Sequence, residues 1–290
     1  MVQLGLVGLG TLGRAIAGRL AEQGLDLVVW NRTPEKAHGL AASVAASPAA
    51  LISSVPIVVL SLFDSAAVDQ VLFGEGGVFA GDAEGKILVD TTTNSADAAD
   101  RFHEQVHARG AYYVEAPVIG SVPQVAQGRL TALVSGQEDA WDEVRPFLEQ
   151  IAANTIYLGK PGLATRLKLA ANLVLATWMT GLAEALVLAE RSGLPRELVL
   201  DVLAQGPARS TLLDVKRDNL ARAEFPAAFS AAAMHKDLRA VQRLAHDTQA
   251  PLFVGSLVRE LYGAVLAHRD GDRDFSAIYR MLSNLGTSQL

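Results

Sequence analysis

An apolar, strand-like run at the start of the chain leads directly into a glycine-rich turn. Leu4-Gly5-Leu6-Val7 is followed by Gly8-Leu9-Gly10-Thr11-Leu12-Gly13, which has the spacing G-x-G-x-x-G. In this spacing the first glycine permits a tight turn, the second lets the backbone approach a pyrophosphate, and the third lets the helix pack closely on the strand. A second apolar run, from Leu25 to Trp30, follows one βαβ unit later. The chain is therefore predicted to begin with a Rossmann unit that binds a dinucleotide.

The residues that follow the second strand indicate which dinucleotide is bound. NAD sites normally carry an acidic residue here, which accepts hydrogen bonds from the adenosine ribose. This chain has Asn31, Arg32 and Thr33 instead, and Lys36 comes shortly after them. A guanidinium group can hold a phosphate with a planar fork of donors. The pattern favours NADP(H) over NAD(H), with Asn31, Arg32 and Thr33 at the 2′-phosphate.

Composition excludes several classes of protein. The chain has 290 residues, 50% of them hydrophobic, so it can bury a sizeable core and has room for two domains. Its formal charge of −6, without long runs of Lys or Arg, gives no electrostatic footprint for a nucleic-acid partner. The sequence has no cysteine, which rules out disulfides, thiolate metal sites and a cysteine nucleophile. A cytoplasmic location is expected.

The two halves of the chain differ in their periodicity. Short β-rich runs alternate with helical patterns in the first half, which is typical of a doubly wound parallel sheet. Two further runs, at 131–135 and 154–159, are expected to extend that sheet, and the alanine-rich stretch 41–50 is expected to be helical. After Pro161-Gly162 only helical patterns remain. The predicted fold is α/β, with an N-terminal Rossmann domain over 1–161 and an all-α domain over 162–290.

One segment is long and apolar enough to raise the question of a membrane span. It runs from Leu167 to Ala189, and Lys168, Asn172 and Glu184 interrupt it. Charged and polar groups are costly inside a bilayer. We therefore expect a buried helix of the helical domain and no membrane partner.

Two polar residues in this helix are candidates for chemistry. Lys168 and Asn172 are four residues apart, so they lie on one helix face about one turn from each other. A lysine near a substrate carbonyl can donate a proton to the developing alkoxide as a hydride arrives, and Asn172 can orient the lysine or bind the substrate. The alternative is a lysine that extends its ammonium to solvent and an asparagine that packs between helices.

Five motifs occur in the order that a known family has them. They are Gly8 to Gly13, Asp90-Thr91-Thr92-Thr93, Glu115-Ala116-Pro117-Val118-Ile119-Gly120-Ser121, Lys168 to Asn172, and Lys236-Asp237. In these motifs the chain resembles the β-hydroxyacid dehydrogenase family, which includes 3-hydroxyisobutyrate dehydrogenases and glyoxylate/succinic semialdehyde reductases. The resemblance spans nearly the whole chain. It implies a fold like that of 6-phosphogluconate dehydrogenase and hydride transfer between NADP(H) and a small β-hydroxyacid or semialdehyde.

The resemblance also implies a role for individual residues. Lys168 would be the general acid/base and Asn172 its partner on the substrate side. Gly120 and Ser121 would present donors to a substrate carboxylate, while Asp237 would be structural. The remaining positions would lie at the nicotinamide ribose (Leu62 and Thr93), over the cofactor (Lys236), and either over the active site or in the core (Phe229).

One position departs from the family pattern. The usual serine of the Pro-Val-Ser-Gly loop is Ile119 here, and the lysine found after the next serine in the semialdehyde reductases is Val122. The loop is otherwise closest in form to those reductases, with Ser121 able to substitute for the missing hydroxyl. Apolar side chains at these positions suit a bulkier or less polar carbonyl compound, so the identity of the substrate stays open.

Two other functions remain possible on the same fold. An imine reductase shares the architecture but generally lacks the lysine, so Lys168 argues against it and Ile119 keeps it open. A non-catalytic dinucleotide-binding module is the other alternative, and retention of Lys168 also argues against it.

The sequence also indicates how the chain assembles and whether it binds a metal. A long apolar helix with a narrow polar face predicts a homodimer or homotetramer built on helices after residue 165. No metal is expected, because the six histidines are scattered. His103 and His107, at helical spacing, are expected to mark a solvated face.

Overall fold

Six parallel strands form the main sheet in the computed structural model, which describes residues 3–285. The strands are β1 (Leu4–Val7), β2 (Leu27–Trp30), β3 (Ser43–Val44), β4 (Ile57–Leu60), β5 (Ile87–Asp90) and β6 (Tyr112–Glu115). Their order in the sheet is β3-β2-β1-β4-β5-β6, so the chain winds outward from β1 in one direction and from β4 in the other. Such a reversal is the place where doubly wound folds bind ligands. The predicted doubly wound parallel sheet is confirmed.

Helices cover both faces of this sheet. They are α1 (Thr11–Glu22), α2 (Pro48–Ser54), α3 (Ser65–Phe73), α4 (Ala96–His107), α5 (Val122–Ala126) and α6 (Glu138–Ile151). Neighbouring residues in a strand belong to different cores: Leu6 and Val59 pack in one apolar cluster, Val7 and Val58 in the other. This double burial is why the central strands are continuous apolar runs in the sequence.

Three further strands form a second sheet. They are β7 (Val118–Ile119), β8 (Leu130–Val134) and β9 (Ala152–Tyr157), in that order. An isolated antiparallel bridge pairs Glu115, the last residue of β6, with Ser135, the residue that follows β8. The expectation that the 131–135 and 154–159 runs extend the first sheet is therefore wrong. Pro117 has no N–H to donate to a ladder, so the chain leaves the main sheet there.

The alanine-rich stretch 41–50 is not a continuous helix. Ser43 and Val44 form the edge strand β3 beside Val28 and Val29. The helix that follows, α2, begins only at Pro48, where Ser47 Oγ accepts a hydrogen bond from the next turn. The helical expectation for this stretch is wrong because pairing with β2 outweighs the helix propensity of alanine.

The rest of the described chain is helical, as predicted. The helices are α7 (Leu163–Arg191), α8 (Arg196–Gln205), α9 (Thr211–Arg222), α10 (Ala231–Asp247), α11 (Phe253–Ala267) and α12 (Ile278–Asn284). Gly193, at a φ of +86°, ends α7, and Pro195 precedes α8. Their core is built around buried residues such as Met179, Met234 and Tyr262.

The chain divides into two compact units, Met1–Lys168 and Leu169–Leu290. The predicted boundary lies at residue 161, whereas the division falls in the second turn of α7. The start of this helix therefore belongs to the first unit and the remainder to the second. The predicted domains also include residues 1, 2 and 286–290, which lie outside the described residues.

One face of α7 is buried and the opposite face is exposed. Leu169, Ala176 and Met179 are buried, whereas Val174 and Trp178 are about half exposed, at 49% and 56%. Within residues 3–285, this is the one helix long and apolar enough to span a membrane, and 39% of its most apolar window is buried. Core helices of soluble proteins can be equally long and equally apolar, so length and composition alone do not indicate a membrane span. The expectation of a buried helix thus holds for one face only.

Candidate active site

The glycine turn leaves open space at the start of α1. Gly8 has a φ of +100°, and a Cβ atom there would lie 2.3 Å from the carbonyl oxygen of Ser61. A Cβ atom on Gly13 would lie 2.0 Å from the carbonyl oxygen of Gly8. At Gly10, which precedes α1 without a side-chain cap, a Cβ atom would meet nothing within 4 Å. The first and third glycines therefore hold the turn together, and the second leaves room for a pyrophosphate at the helix N-terminus.

Asn31 connects the end of β2 to this turn. Its Oδ1 accepts a hydrogen bond from the Leu9 backbone N–H at 2.9 Å, and its Nδ2 donates to the Thr33 carbonyl at 2.9 Å. The side chain that the sequence places at a 2′-phosphate thus braces the turn that would hold the pyrophosphate. One N–H of its amide is left for a ligand.

Exposed cationic side chains surround the end of β2. Arg32, Thr33 and Lys36 are all solvent-exposed. Arg14, from α1, donates hydrogen bonds to the carbonyl oxygens of Lys36 and, at 2.8 Å, His38. The segment after β2 is therefore fixed to α1, with Arg32 left at the surface.

A buried carboxylate shapes the turn after β5. Asp90 accepts hydrogen bonds from the Thr92 N–H at 2.8 Å, the Asn94 amide at 2.7 Å and the Tyr113 hydroxyl at 2.5 Å. Burial raises the pKa of Asp90, although the hydrogen bonds from Thr92, Tyr113 and Asn94 oppose that effect. The pKa of Tyr113 also rises, through burial and the nearby Asp90, so Tyr113 remains the donor. These contacts fix the backbone from residue 90 to 94.

The same turn is joined to the end of β4. The Leu62 N–H donates a hydrogen bond to Thr92 Oγ1 at 3.0 Å. Leu62 and Thr93, the two residues expected at the nicotinamide ribose, are both partly buried. The structure therefore brings their two segments together at the carboxyl edge of the sheet.

The predicted substrate loop begins at the end of β6 and includes the short strand β7, after which come Gly120 and Ser121. Gly120 has a φ of +121°, and a Cβ atom there would lie 2.7 Å from Leu130, so the position requires glycine. The Ser121 N–H and hydroxyl both donate to Oε1 of Gln124, at 3.0 and 2.9 Å. Ile119 is 42% exposed. Sequence reasoning missed Gln124, whose amide oxygen accepts from both donors of Ser121, one of the two residues expected to present donors to a substrate carboxylate.

Lys168 and Asn172 both lie on α7. Lys168 is partly buried, and Asn172 is 2% exposed. The Asn172 amide nitrogen donates to Asp237 Oδ2 at 2.6 Å, and Lys236 Nζ lies 2.8 Å from Asp237 Oδ1. The buried Asp237 therefore orients Asn172, as its expected structural role requires, and leaves the Asn172 amide oxygen directed away from the carboxylate.

Phe229 lies at the edge of the helical core. Its ring packs against Phe275 in a T-shaped contact at 5.9 Å, and it is partly buried. Its backbone N–H donates to the buried Asp274 at 3.3 Å, which also forms an ion pair with Lys216 at 2.8 Å. Phe229 thus has the surroundings of a core residue on one side, and its position over a substrate stays a prediction.

One histidine does not lie on a solvated face. The side chain of His103 is 11% exposed, and its Nε2 lies 2.8 Å from Oε1 of Glu115. The expectation is therefore wrong for His103, whereas His107 is exposed. A buried carboxylate needs hydrogen-bond partners, and α4 supplies one. Sequence reasoning gave Glu115 no role, although a charged residue at the end of a buried strand was a signal for one. Residues 3–285 contain no cluster of three metal-ligating side chains.

Two family models together match almost the whole chain. The one described as the NAD binding domain of 6-phosphogluconate dehydrogenase matches residues 3–159. The one described as NAD-binding of NADP-dependent 3-hydroxyisobutyrate dehydrogenase matches residues 162–282. The two matches meet just before α7.

Individual relatives are similar over the same length. Glyoxylate/succinic semialdehyde reductase 1 of Arabidopsis thaliana is 31% identical over 280 residues, covering 96% of this chain and 97% of the relative. The 3-hydroxyisobutyrate dehydrogenase of Salmonella typhimurium is 25% identical, with a TM-score of 0.88 and coverage of 97% and 100%. Psf3 in complex with NADP+ and 2-OPP is 28% identical, with a TM-score of 0.89 and the same coverage.

Proposed function

Because the chain belongs to the β-hydroxyacid dehydrogenase family and is an NAD(P)-dependent oxidoreductase acting on CH–OH groups, we propose that it reduces a small semialdehyde or related carbonyl compound with NADPH. Lys168 is the general acid in this proposal. In the reverse direction the same lysine accepts the proton.

The arrangement of the first unit carries this proposal. The glycine turn, Leu62 and Thr93 follow β1, β4 and β5, and the carboxyl ends of parallel strands meet at one edge of a sheet. The substrate loop leaves the end of β6, a fourth strand of that sheet, and reaches Gly120 and Ser121 through the short strand β7. The helix that bears Lys168 starts with backbone amides bonded to Glu115, the last residue of β6. The helix with the candidate acid therefore begins at the edge that holds the cofactor-binding and substrate-binding segments.

The proposed chemistry divides between cofactor and protein. A bound nicotinamide dinucleotide would supply a hydride to the carbonyl carbon. The Lys168 ammonium would donate a proton to the carbonyl oxygen as that oxygen gains negative charge, and solvent would then reprotonate the lysine. Asn172 would accept a hydrogen bond through its amide oxygen, since its nitrogen is bonded to Asp237.

The preference for NADP(H) is supported by the residues after β2. Arg32, Thr33 and Lys36 are exposed there, and no acidic residue occupies the position that would receive the ribose hydroxyls. The guanidinium of Arg32 would bind the 2′-phosphate and Thr33 would add a hydroxyl. Asn31 would contribute mainly by bracing the turn.

The substrate loop favours a carbonyl compound with one carboxylate and an apolar part. A substrate carboxylate would replace the Gln124 oxygen as acceptor for the Ser121 N–H and hydroxyl, beside Gly120. Ile119 would contact the apolar part of the substrate, since its side chain is 42% exposed. The same isoleucine is the feature that favours the second candidate, an imine reductase.

Turnover with and without Lys168 tests the proposal. NADPH oxidation is measured with a panel of semialdehydes and cyclic imines, for the unaltered protein and for Lys168→Ala. We expect reduction of semialdehydes and a loss of about 10²- to 10⁴-fold in kcat for the variant. Preferential reduction of imines would favour the second candidate, and full activity of Lys168→Ala would refute the role of the lysine. A protein that binds NADPH but turns over no member of the panel would point to a non-catalytic module.

We further propose that the protein is a homodimer formed through its helical unit. Val174, Trp178 and Leu188 lie on the exposed face of α7, at 49%, 56% and 71% exposure. Several exposed apolar side chains on one helix are the kind of surface that associates, and identical chains most often pair about a two-fold axis.

A further inference from the structure

Glu115 is buried and fully engaged in hydrogen bonds. The residue is 1% exposed. Its Oε1 accepts from His103 Nε2 at 2.8 Å, the Ser135 hydroxyl at 3.1 Å and the Gly162 N–H at 2.5 Å, and its Oε2 accepts from the Thr165 N–H at 2.9 Å. Two of the four donors are backbone amides at the start of α7.

These amides are the ones that a helix cannot satisfy by itself. The first N–H groups of an α-helix have no partner within the helix, and the helix dipole favours a negative charge at this end. Burial alone would raise the pKa of Glu115, but hydrogen bonds from His103, Thr165 and Gly162 together with the charge of His103 lower it instead. The carboxylate is therefore ionised at neutral pH and complements the start of α7.

Further contacts fix the same turn of the helix. The Ser135 hydroxyl, which donates to Glu115, also accepts from the Ala164 N–H at 3.1 Å. Arg166 forms a two-pronged ion pair with Asp100, at 3.0 and 2.7 Å. The first turn of α7 is therefore held both by Ser135, the residue that follows β8, and by Asp100 on α4.

The backbone of Glu115 also carries the substrate loop. Glu115 is the last residue of β6, and its N–H and carbonyl pair with Ser135 at 2.9 and 3.0 Å. The chain then passes through the short strand β7 to the loop at Gly120 and Ser121. One residue therefore connects, through its main chain and its side chain, the loop expected to bind the substrate and the helix that carries Lys168.

We infer that Glu115 is a positioning residue for Lys168. Glu115 sets the axial position and the rotation of the first turns of α7 relative to the substrate loop. The inference rests on the proposed role of Lys168 as general acid. Lys168 follows Thr165 by three residues, or about 4.5 Å along the helix axis. A displaced first turn therefore moves the ammonium almost directly, and a 1 Å misplacement of a reacting group can cost on the order of 10²-fold in rate.

Glu115→Gln tests this role with little change in side-chain shape. The amide NH₂ must face either the Thr165 N–H or the donors grouped around Oε1, so one donor opposes another. We expect the single-turnover rate of NADPH oxidation, with the best aldehyde of the panel, to fall about 10- to 100-fold. The Kd for NADPH and the KM for the aldehyde are expected to change less than about 3-fold.

A double-mutant cycle then separates positioning from an independent role. If Glu115 acts through Lys168, adding Glu115→Gln to Lys168→Ala slows the reaction no further. A double variant that is slower by the product of the two single effects would overturn the inference while leaving Lys168 as the acid. Full activity of Lys168→Ala alone would overturn the proposed function, and the inference with it.

A second variant and a control distinguish a displaced α7 from a general loss of stability. Ser135→Ala removes one donor to Glu115 and the acceptor for Ala164, and we expect a smaller rate loss that also disappears in the Lys168→Ala background. Ser47→Ala removes the cap of α2, where Ser47 accepts from Ala50 at 3.1 Å, and is expected to leave the rate unchanged. Unaltered rates for both Glu115→Gln and Ser135→Ala would refute the inference.

Discussion

At the scale of single residues, the end of β2 shows how residue type and role can differ. Asn31 has the chemistry of a ribose or phosphate ligand, yet its side chain holds the glycine turn through Leu9 and Thr33. Arg32, its neighbour, is exposed. The preference between the two dinucleotides is therefore expected to depend on Arg32 more than on Asn31.

Arg32→Ala tests that preference. Losing a charged hydrogen bond to the 2′-phosphate is expected to raise the KM for NADPH about 10- to 100-fold. The KM for NADH, which lacks that phosphate, is expected to stay the same. Steady-state kinetics with both cofactors measures the difference.

Lys86→Ala provides the matched control for Arg32→Ala. Lys86 is a partly exposed cation that immediately precedes β5, so it lies at the amino edge of the sheet. Its removal is expected to leave both KM values unchanged. If Arg32→Ala weakened NADH and NADPH equally, Arg32 would not read the phosphate.

Ile119→Ser tests the departure in the substrate loop. The change restores the hydroxyl that the family pattern has at this position, and it sacrifices little packing because Ile119 is 42% exposed. We expect the KM for succinic semialdehyde to fall about 10-fold, which is the effect of one hydrogen bond to a carboxylate. Butanal, which has no carboxylate, is the comparison substrate. A similar fall for butanal would show that the hydroxyl does not bind the carboxylate.

At the scale of secondary structure elements, the local sequence pattern was sufficient to predict an element whose own residues form an apolar run or a clear helical period. The strands β1, β2 and β4 to β6 are apolar runs, and α7 has a clear helical period, so each was predictable. β3 was not, because two residues form a strand only by pairing with Val28 and Val29. The separate second sheet and the inward position of His103 escaped prediction for the same reason, since they depend on partners distant in sequence.

For the candidate site, the sequence indicated the segments better than the individual contacts. Motif order identified the glycine turn, the turn after Asp90 and the substrate loop. It did not reveal that Gln124 accepts both donors of Ser121, or that Glu115 bonds to the start of α7. Such contacts follow from the three-dimensional path of the chain, which motif spacing does not encode.

Gly13→Ala tests the packing of α1 on the turn. The new Cβ atom would lie 2.0 Å from the Gly8 carbonyl oxygen and 3.0 Å from Ser61 Cβ, where no flexible side chain can yield. We expect a loss of about 1–3 kcal/mol in the free energy of unfolding and a much weaker affinity for NADPH. Denaturant unfolding and a fluorescence titration measure the two effects.

Gly18→Ala is the control within the same helix. A Cβ atom at Gly18 would meet nothing within 4 Å, so we expect a gain of up to about 1 kcal/mol and unchanged NADPH binding. Equal stability of the Gly13→Ala and Gly18→Ala variants would contradict the tight packing described at the turn.

At the scale of the whole molecule, exposed apolar side chains are most frequent on the helices of the second unit. The side chains that are more than half exposed include Trp178 and Leu188 on α7, Val202 on α8, and Phe253 and Leu257 on α11. The first unit has the nucleotide-binding features, and the second has the surface suited to association.

Trp178→Glu tests the proposed dimer. A charge buried against a second copy of the same helix would be unpaired, so we expect the variant to have the mass of a single chain by light scattering at micromolar concentration. Val44→Glu, at an exposed apolar position on β3, is the control and is expected to keep the dimer mass. A monomeric mass for the unaltered protein would refute the proposal.

The course of α7 has a consequence for attempts to recombine this protein with its relatives. A crossover at residue 161 would take Glu115 from one parent and its backbone donors, Gly162 and Thr165, from the other. A crossover after Arg191, where α7 ends, keeps Glu115, its donors, Lys168 and Asn172 from one parent, but takes Asp237, the partner of Asn172, from the other. Chimeras joined at the later position are therefore expected to retain turnover more often than those joined at residue 161, provided that the second parent also has an aspartate at position 237.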